Sequence, residues 1–498
     1  MTKREVLNAT TFGKTTAEDE RLDLSSYFVE TDQWRRIFSG ETDVVYGAKG
    51  SGKSAIYALL LSRRGELRGR GIIVVPCENP QGAPAFKDVA ADPPTDEAEF
   101  RNLWKLYLLL MVARQLGQLD NAPESTREVT RLLEEAQLLP PAASLSAYLR
   151  GALDYVRRWM RAEKSVEAEL KLDPATGLPV GVAGRLTFKE PTKAERGFGM
   201  VSADELLAAA NAALEAAGLR VWLLLDRLDV AFAESPQLER NALRALFRVY
   251  LDLLDLTRIS SKIFLRTDIW RQITEAGFRE ASHITRQDTI SWDETSLLNL
   301  VVRRALHNEA VREFYGVDEQ ATLRDVSEQY NLFYRMFPSQ VDPGSRRPQT
   351  LNWILDRTCD GSQRTAPREL IHLLSTARNK QLRRLELGES EPPGDALFDR
   401  VALKEGLPEV SRVRLGQTLF AEYPGLRKYI AELEGEKTLQ TAASLTKIWD
   451  LDGENAAEVA NQLVEVGFFE RRGTSEDPQF WVPFLYRSAL SMVQGSAE

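Results

Sequence analysis

Residues 46–57 read YGAKGSGKSAIY, and the spacing in this stretch restricts the fold more than any other feature of the chain. Gly47, Gly52, Lys53 and Ser54 fit the pattern of Gly, four residues, Gly, Lys and then Ser or Thr. Before it, Val44, Val45 and Tyr46 form a short β-branched and aromatic run suited to a buried parallel strand. After it, SAIYALLLSRRG predicts a helix with two arginines in its last turn and Gly65 placed to end it. A strand, a glycine loop and a helix start make an anion site, because backbone N–H groups converge and the helix dipole adds about half a positive charge. Gly47, Ala48, Lys49, Gly50, Ser51, Gly52, Lys53 and Ser54 are therefore expected to cradle nucleotide phosphates. Lys53 would reach the β- and γ-phosphates, and Ser54 would hold Mg²⁺. A second GKT, Gly13–Thr15, is a decoy, because Asn8 stands where the first glycine should be.

Such a loop needs an acid at the end of another strand to hold the metal's water shell. LRVWLLLDRLD, residues 219–229, supplies one: Val221–Leu225 are apolar without alternation, as in a strand buried on both faces, and Asp226 ends the run. That places Asp226 at the carboxyl edge, where open α/β sheets bind ligands. GIIVVPCEN (71–79), SSKIFLRTDIW (260–270) and HITRQDTISW (283–292) predict further strands, and Ser202 with Glu205 forms a capping box for an intervening helix. Alternating strands and helices argue for a doubly wound parallel sheet. Arg266 and Thr267, ending KIFLRT, are candidates to sense the γ-phosphate.

Composition narrows the class. At 498 residues the chain exceeds one compact core, and its apolar and charged fractions, 43% and 28%, are ordinary for a globular protein. Cys77 and Cys359 give no metal or disulfide spacing, and three histidines, His283, His307 and His372, are too few for a His-rich metal centre. Without a long apolar run or an apolar leader, no membrane span is expected and the chain reads as cytoplasmic. A net charge of −9 does not advertise the whole molecule to nucleic acid.

The loop, LLLDRLD, FLRTD and TAPRELIHLLSTAR together resemble the additional-strand P-loop ATPases, the AAA+ and signal-transducing (STAND) branches, with a lid like that of origin-recognition proteins. The resemblance implies Mg–ATP as ligand and a role for Arg368, after Pro367, in reaching back to the phosphates. It also implies the bacterial signalling and phage-defence settings in which such ATPases occur. One departure matters: the family places a second acid after the metal-binding aspartate, and here that residue is Arg227. Asp229 is the nearest substitute, lying beside Asp226 only if the chain turns helical. Because phosphoryl transfer depends on positioning, a missing orienter slows hydrolysis without abolishing binding.

The predicted architecture is α/β. An N-terminal linker (1–40) precedes a P-loop NTPase core with a parallel sheet (41–292), carrying a helical and hairpin insertion at about 85–200. A helical lid (293–390) and a C-terminal winged helix (395–498) follow. In the insertion, KEPTKAERGFGM is expected as an exposed loop. FGKTTAEDE and YFVETDQW are candidates to seat the base, and Arg279, Arg286, Arg303 and Arg304 are candidates for an arginine given to a neighbouring subunit. The favoured reading is an ATP-binding, slowly hydrolysing switch ATPase acting on a protein partner or on further copies of itself. The alternatives are a DNA-binding ATPase of the origin-loading or transposition-helper type and a nucleotide-gated scaffold without turnover. DNA is the less favoured partner, because the helix expected in the groove, NAAEVANQLVEVG, has no Lys or Arg and carries Glu458 and Glu465.

Overall fold

The structure, a computed structural model, describes residues 1–20, 23–78, 93–94, 96–119, 124–140, 143–168, 186–197, 199–228, 235–275 and 277–497. The chain divides into two units. One comprises Asp32–Gly47 and Lys53–Thr289; the other comprises Met1–Thr31, Ala48–Gly52 and Ile290–Glu498.

The first unit is an α/β core. Strands β1 (Val44–Gly47), β2 (Ile72–Pro76), β3 (Arg220–Leu225), β4 (Ile259–Arg266) and β5 (Gln287–Thr289) form one parallel sheet in the order β2-β3-β4-β1-β5. Val44 pairs with Ile263 on one side and Gln287 on the other, so β4 lies between β1 and β3, the strand that leads to Asp226. This is the parallel sheet of the P-loop NTPase fold, with the additional strand that the sequence resemblance implies. β3 is apolar from Val221 to Leu225 because both of its faces are covered: Val221, Leu223, Leu224 and Leu225 are wholly buried.

Helix α1 (Lys53–Ser62) follows the loop. It breaks at Arg63, two residues before the predicted stop, and Gly65 lies inside a second helix, Arg64–Gly69, which is held by the buried Leu67. Helix α2 (Glu97–Leu116) is buried on nearly all sides from Leu103 to Ala113, as its broad apolar face predicts, and packs on α3 (Ala203–Ala216) and α4 (Pro236–Leu253). The Ser202–Glu205 capping box starts α3 as expected. Of the expected hairpin, residues 169–185 lie outside the described residues. Leu186–Thr187 instead pairs in parallel with Val201–Ser202. KEPTKAERGFGM is not all loop, since Lys193–Gly197 is a helical turn.

In the second unit, residues 1–31 are more than the expected linker: the helix Lys3–Ala9 buries Val6 and Leu7 in an apolar cluster shared with α5 (Glu294–Leu306) and α6 (Pro367–Glu386). The decoy glycine has a structural cause. A Cβ at Gly13 would fall 2.0 Å from Glu20 Oε1 and 2.1 Å from Arg304 Nη1, so the residue makes room for a buried ion pair.

Helix α7 (Arg400–Arg414) runs into a π-helical turn, Leu415–Leu419. Then come β6 (Lys437–Thr441), α8 (Ala442–Trp449), α9 (Gly453–Glu465) and a hairpin of β7 (Glu470–Gly473) and β8 (Pro478–Trp481). With β9 (Val493–Ser496) the sheet order is β9-β6-β8-β7, the winged-helix arrangement of two helices and a ribbon.

Candidate functional site

Within the first unit, the ends of β1, β3 and β4 bring the predicted residues to one edge of the sheet. Lys53 opens α1, and its Nζ donates to the Gly47 carbonyl at 2.8 Å. Ser54 Oγ donates to Asp226 Oδ2 at 3.0 Å, joining the loop's serine to the strand-end acid. Asp226 is buried one residue beyond β3. Arg266, the last residue of β4, is the register partner of Gly47 and binds Asp268 at both oxygens, at 3.1 and 2.6 Å. Asp268 belongs with Thr267 to the first turn of a helix, Thr267–Glu275, rather than to the strand.

Asp229 lies outside the described residues. The chain does not turn helical before it: Arg227 has φ 57°, a left-handed conformation that costs a side-chain-bearing residue about 1–3 kcal/mol.

Within the second unit, the loop residues Ala48–Gly52 meet partners that sequence reading did not supply. Gly50 has φ 81°, and a Cβ there would lie 3.1 Å from Arg368 Cβ, so the first turn of α6 packs directly on the loop. Trp292 Nε1 donates to the Ser51 carbonyl at 2.8 Å. Ser51 Oγ is buried without a hydrogen-bond partner among the described residues. Lys49 forms an ion pair with Glu422, just beyond the π-helical turn.

Glu369, next to Arg368, is 4% exposed and accepts from Arg414 Nη1 at 2.8 Å. Asp360 Oδ2 stands 3.7 Å from the same guanidinium. Burial pushes the Asp360 carboxyl above its ordinary range. Burial opposes the charge on Arg414, but Glu369, Tyr486 and Asp360 outweigh it and hold the guanidinium firmly protonated. Trp292, Glu422 and Arg414 are too far from the loop in sequence to have marked themselves by spacing.

Of the arginines considered for a neighbouring subunit, two are committed elsewhere. Arg286 Nε pairs with Asp43 at 2.8 Å, and Arg304 grips Glu20 at 2.8 and 2.9 Å over the ring of Tyr27. Arg279 is exposed, and Arg303 is half-buried. Cys77 and Cys359 are buried free thiols. Among the described residues, no group of three His, Cys, Asp or Glu is arranged to hold a metal, and no helix is long and apolar enough to cross a membrane.

No protein-family model matches the chain, and no curated protein sequence matches it. Solved structures do show similarity. The Aeropyrum pernix ORC1 protein, solved in complex with DNA, is 12% identical with a TM-score of 0.37, over 96% of each chain. The Aeropyrum pernix ORC2 protein, solved as ADPNP–ADP complexes, is 12% identical with a TM-score of 0.36, over 91% of this chain and 88% of that one. CDC6P from Pyrobaculum aerophilum is 13% identical with a TM-score of 0.28, over 98% and 96%. TM-scores of 0.28–0.37 are too low to carry function from these proteins to this chain.

Proposed function

We propose that this chain is an ATP-binding, slowly hydrolysing switch ATPase that couples nucleotide state to a protein partner. The observation that carries the reading is the Ser54–Asp226 hydrogen bond at 3.0 Å, directly behind a complete phosphate-loop pattern. A hydroxyl and a buried carboxylate side by side are the hard oxygen donors that suit Mg²⁺, which takes one or two carboxylates and completes its shell with water and phosphate oxygens. Ser54 and Asp226 would hold the ion, whose charge offsets that of the phosphates.

Lys53 binds the β- and γ-phosphates in this reading, the N–H groups of residues 47–52 cradle them, and Arg266 and Arg368 act as the charged sensors. Lys49–Glu422 and Glu369–Arg414 support the coupling, since each ties the loop or the helix packed on it to the segment leading into the winged helix. Bacterial signalling or phage defence is the proposed setting, on the sequence resemblance alone.

The test is binding. Lys53→Ala removes one charge-assisted phosphate contact, worth about 1.5–3 kcal/mol, so affinity for a fluorescent ATP analogue should fall about ten- to a hundredfold. Unchanged affinity would show that the loop is not the site. Phosphate release by the parent protein separates the switch from a scaffold that never turns over.

A second reading, duplex DNA binding through the wing, draws on one feature. Arg472 and Arg487 lie 3.9 and 4.5 Å from the ring of Trp481, and Arg471 is exposed beside them. Against it, the exposed face of α9 carries Glu454, Glu458 and Glu465 with no cation, and the tip of the wing is acidic. Phosphate neutralisation supplies most non-specific affinity, so duplex should bind poorly. Fluorescence anisotropy of the full chain with labelled duplex at about 0.1 M salt decides. Micromolar binding that weakens steeply with salt, and is lost in Arg471→Ala/Arg472→Ala, would favour the DNA-dependent ATPase.

A further inference from the structure

The residue after Asp226 is an arginine in a left-handed turn, so the acid that would orient water is missing from its expected place. The sheet supplies another from the neighbouring strand. β2 pairs with β3 in parallel, with Pro76 opposite Leu224. Cys77 N continues the ladder, donating to the Leu224 carbonyl at 2.9 Å. Two residues beyond Pro76 stands Glu78, and two residues beyond Leu224 stands Asp226. The Pro76–Leu224 pair and the Cys77 bond after it bring the chain at Glu78 out at the same carboxyl edge of the sheet, beside the strand that leads to Asp226.

Both are buried, Glu78 at 1% and Asp226 at 5% exposure. Its backbone is fixed: Tyr57 of α1, one turn beyond Ser54, donates to the Glu78 carbonyl at 3.2 Å, and Tyr107 of α2 donates to the Cys77 carbonyl at 2.7 Å. After burial itself, the charge of Glu78 is the next cause pushing the Cys77 thiol up. Two buried acids beyond the ends of neighbouring strands cost stability that packing alone does not call for, and such costs concentrate where chemistry is done.

We infer that Glu78 is the carboxylate that orients the attacking water and accepts its proton in ATP hydrolysis, a role that rests on the nucleotide reading above. The water oxygen bonds to the γ-phosphorus while the bond from that phosphorus to the β,γ-bridging oxygen breaks. ADP leaves with that electron pair, and the water's proton passes to Glu78 and on to solvent. Asp226 keeps to the metal, Glu78 serves the water, and Arg227 need do neither.

The experiment uses the full chain and compares Glu78→Gln, Glu78→Asp and Asp229→Asn for binding of a fluorescent ATP analogue, phosphate release and thermal midpoint. Glu78→Gln keeps the shape of the side chain and loses only the base. It should bind the analogue as the parent does and release phosphate about 10²–10⁴-fold more slowly. Glu78→Asp, which keeps the charge but shortens the reach, should fall between the two, and Asp229→Asn should match the parent. A folded Glu78→Gln protein with parental turnover would overturn the assignment, as would a parent that releases no phosphate or a loss confined to Asp229→Asn. If the glutamine variant does not fold, parental turnover by Glu78→Asp overturns it instead. Failure of the nucleotide reading shows separately, as analogue binding that survives Lys53→Ala.

Discussion

Asp43→Ala should lower the stability of the α/β unit by about 3–5 kcal/mol, measured as the chemical-denaturation midpoint of the purified chain. The cause lies at the end of the sheet opposite the loop. Lys262, in the middle of β4, is wholly buried, and its Nζ donates to Asp43 Oδ1 at 2.7 Å and to the Thr42 carbonyl at 2.6 Å. The ammonium also lies 4.5 Å from the ring of Trp222. Burial pulls the Lys262 pKa down and Asp43 pulls it back up. Without Asp43 the chain must either bury an uncompensated ammonium or give up its proton, and both cost free energy. Lys262→Met removes the buried cation instead and leaves Asp43 with Arg286 at 2.8 Å, so it should be much milder. A loss below about 1 kcal/mol for Asp43→Ala would mean that water or a neighbour satisfies Lys262 without it.

What was legible in the sequence was what leaves a local mark. The glycine loop, the unbroken apolar run before Asp226 and the capping box at Ser202 each depend on neighbours a few residues away, and each appears where its spacing places it. The helix after the loop shows where that logic weakens, because Gly65 is a permissive residue and the buried Leu67 carries helix past it. Parts of the site made by pairing were not legible. Glu78 reads as an ordinary residue after a strand until β2 is placed beside β3. Glu422 acquires meaning only when Lys49 is across from it, and nothing in a run of residues around either foretells the pair. The decoy GKT is the converse: a local pattern whose glycine answers to a distant ion pair, Glu20 with Arg304.

The switch reading needs the loop to feel the segment that carries the winged helix, and Glu369 is where that connection is tested. Its carboxylate sits between two demands. Oε1 binds Arg414 at the end of α7, and Oε2 stands 3.5 Å from where a Cβ on Gly50 would be. Arg414 is 8% exposed, so Glu369→Ala leaves a buried guanidinium with only Asp360, 3.7 Å away, to balance it among the described carboxylates. The expected cost is about 3 kcal/mol, the lower end for breaking a buried pair, because one carboxylate stays. Arg414→Leu should cost a similar amount, by stranding Glu369. If the two side chains act through each other, the double variant should lose clearly less than the two single losses added, since the second change has no partner left to strand. The same melts with ATP analogue address the coupling. Ligand stabilises only the state it binds, so a loop no longer held through Glu369 should give a smaller ligand-induced rise in midpoint. Fully additive losses, together with an unchanged ligand-induced rise in Glu369→Ala, would show that Glu369 and Arg414 pack beside the loop without transmitting its state.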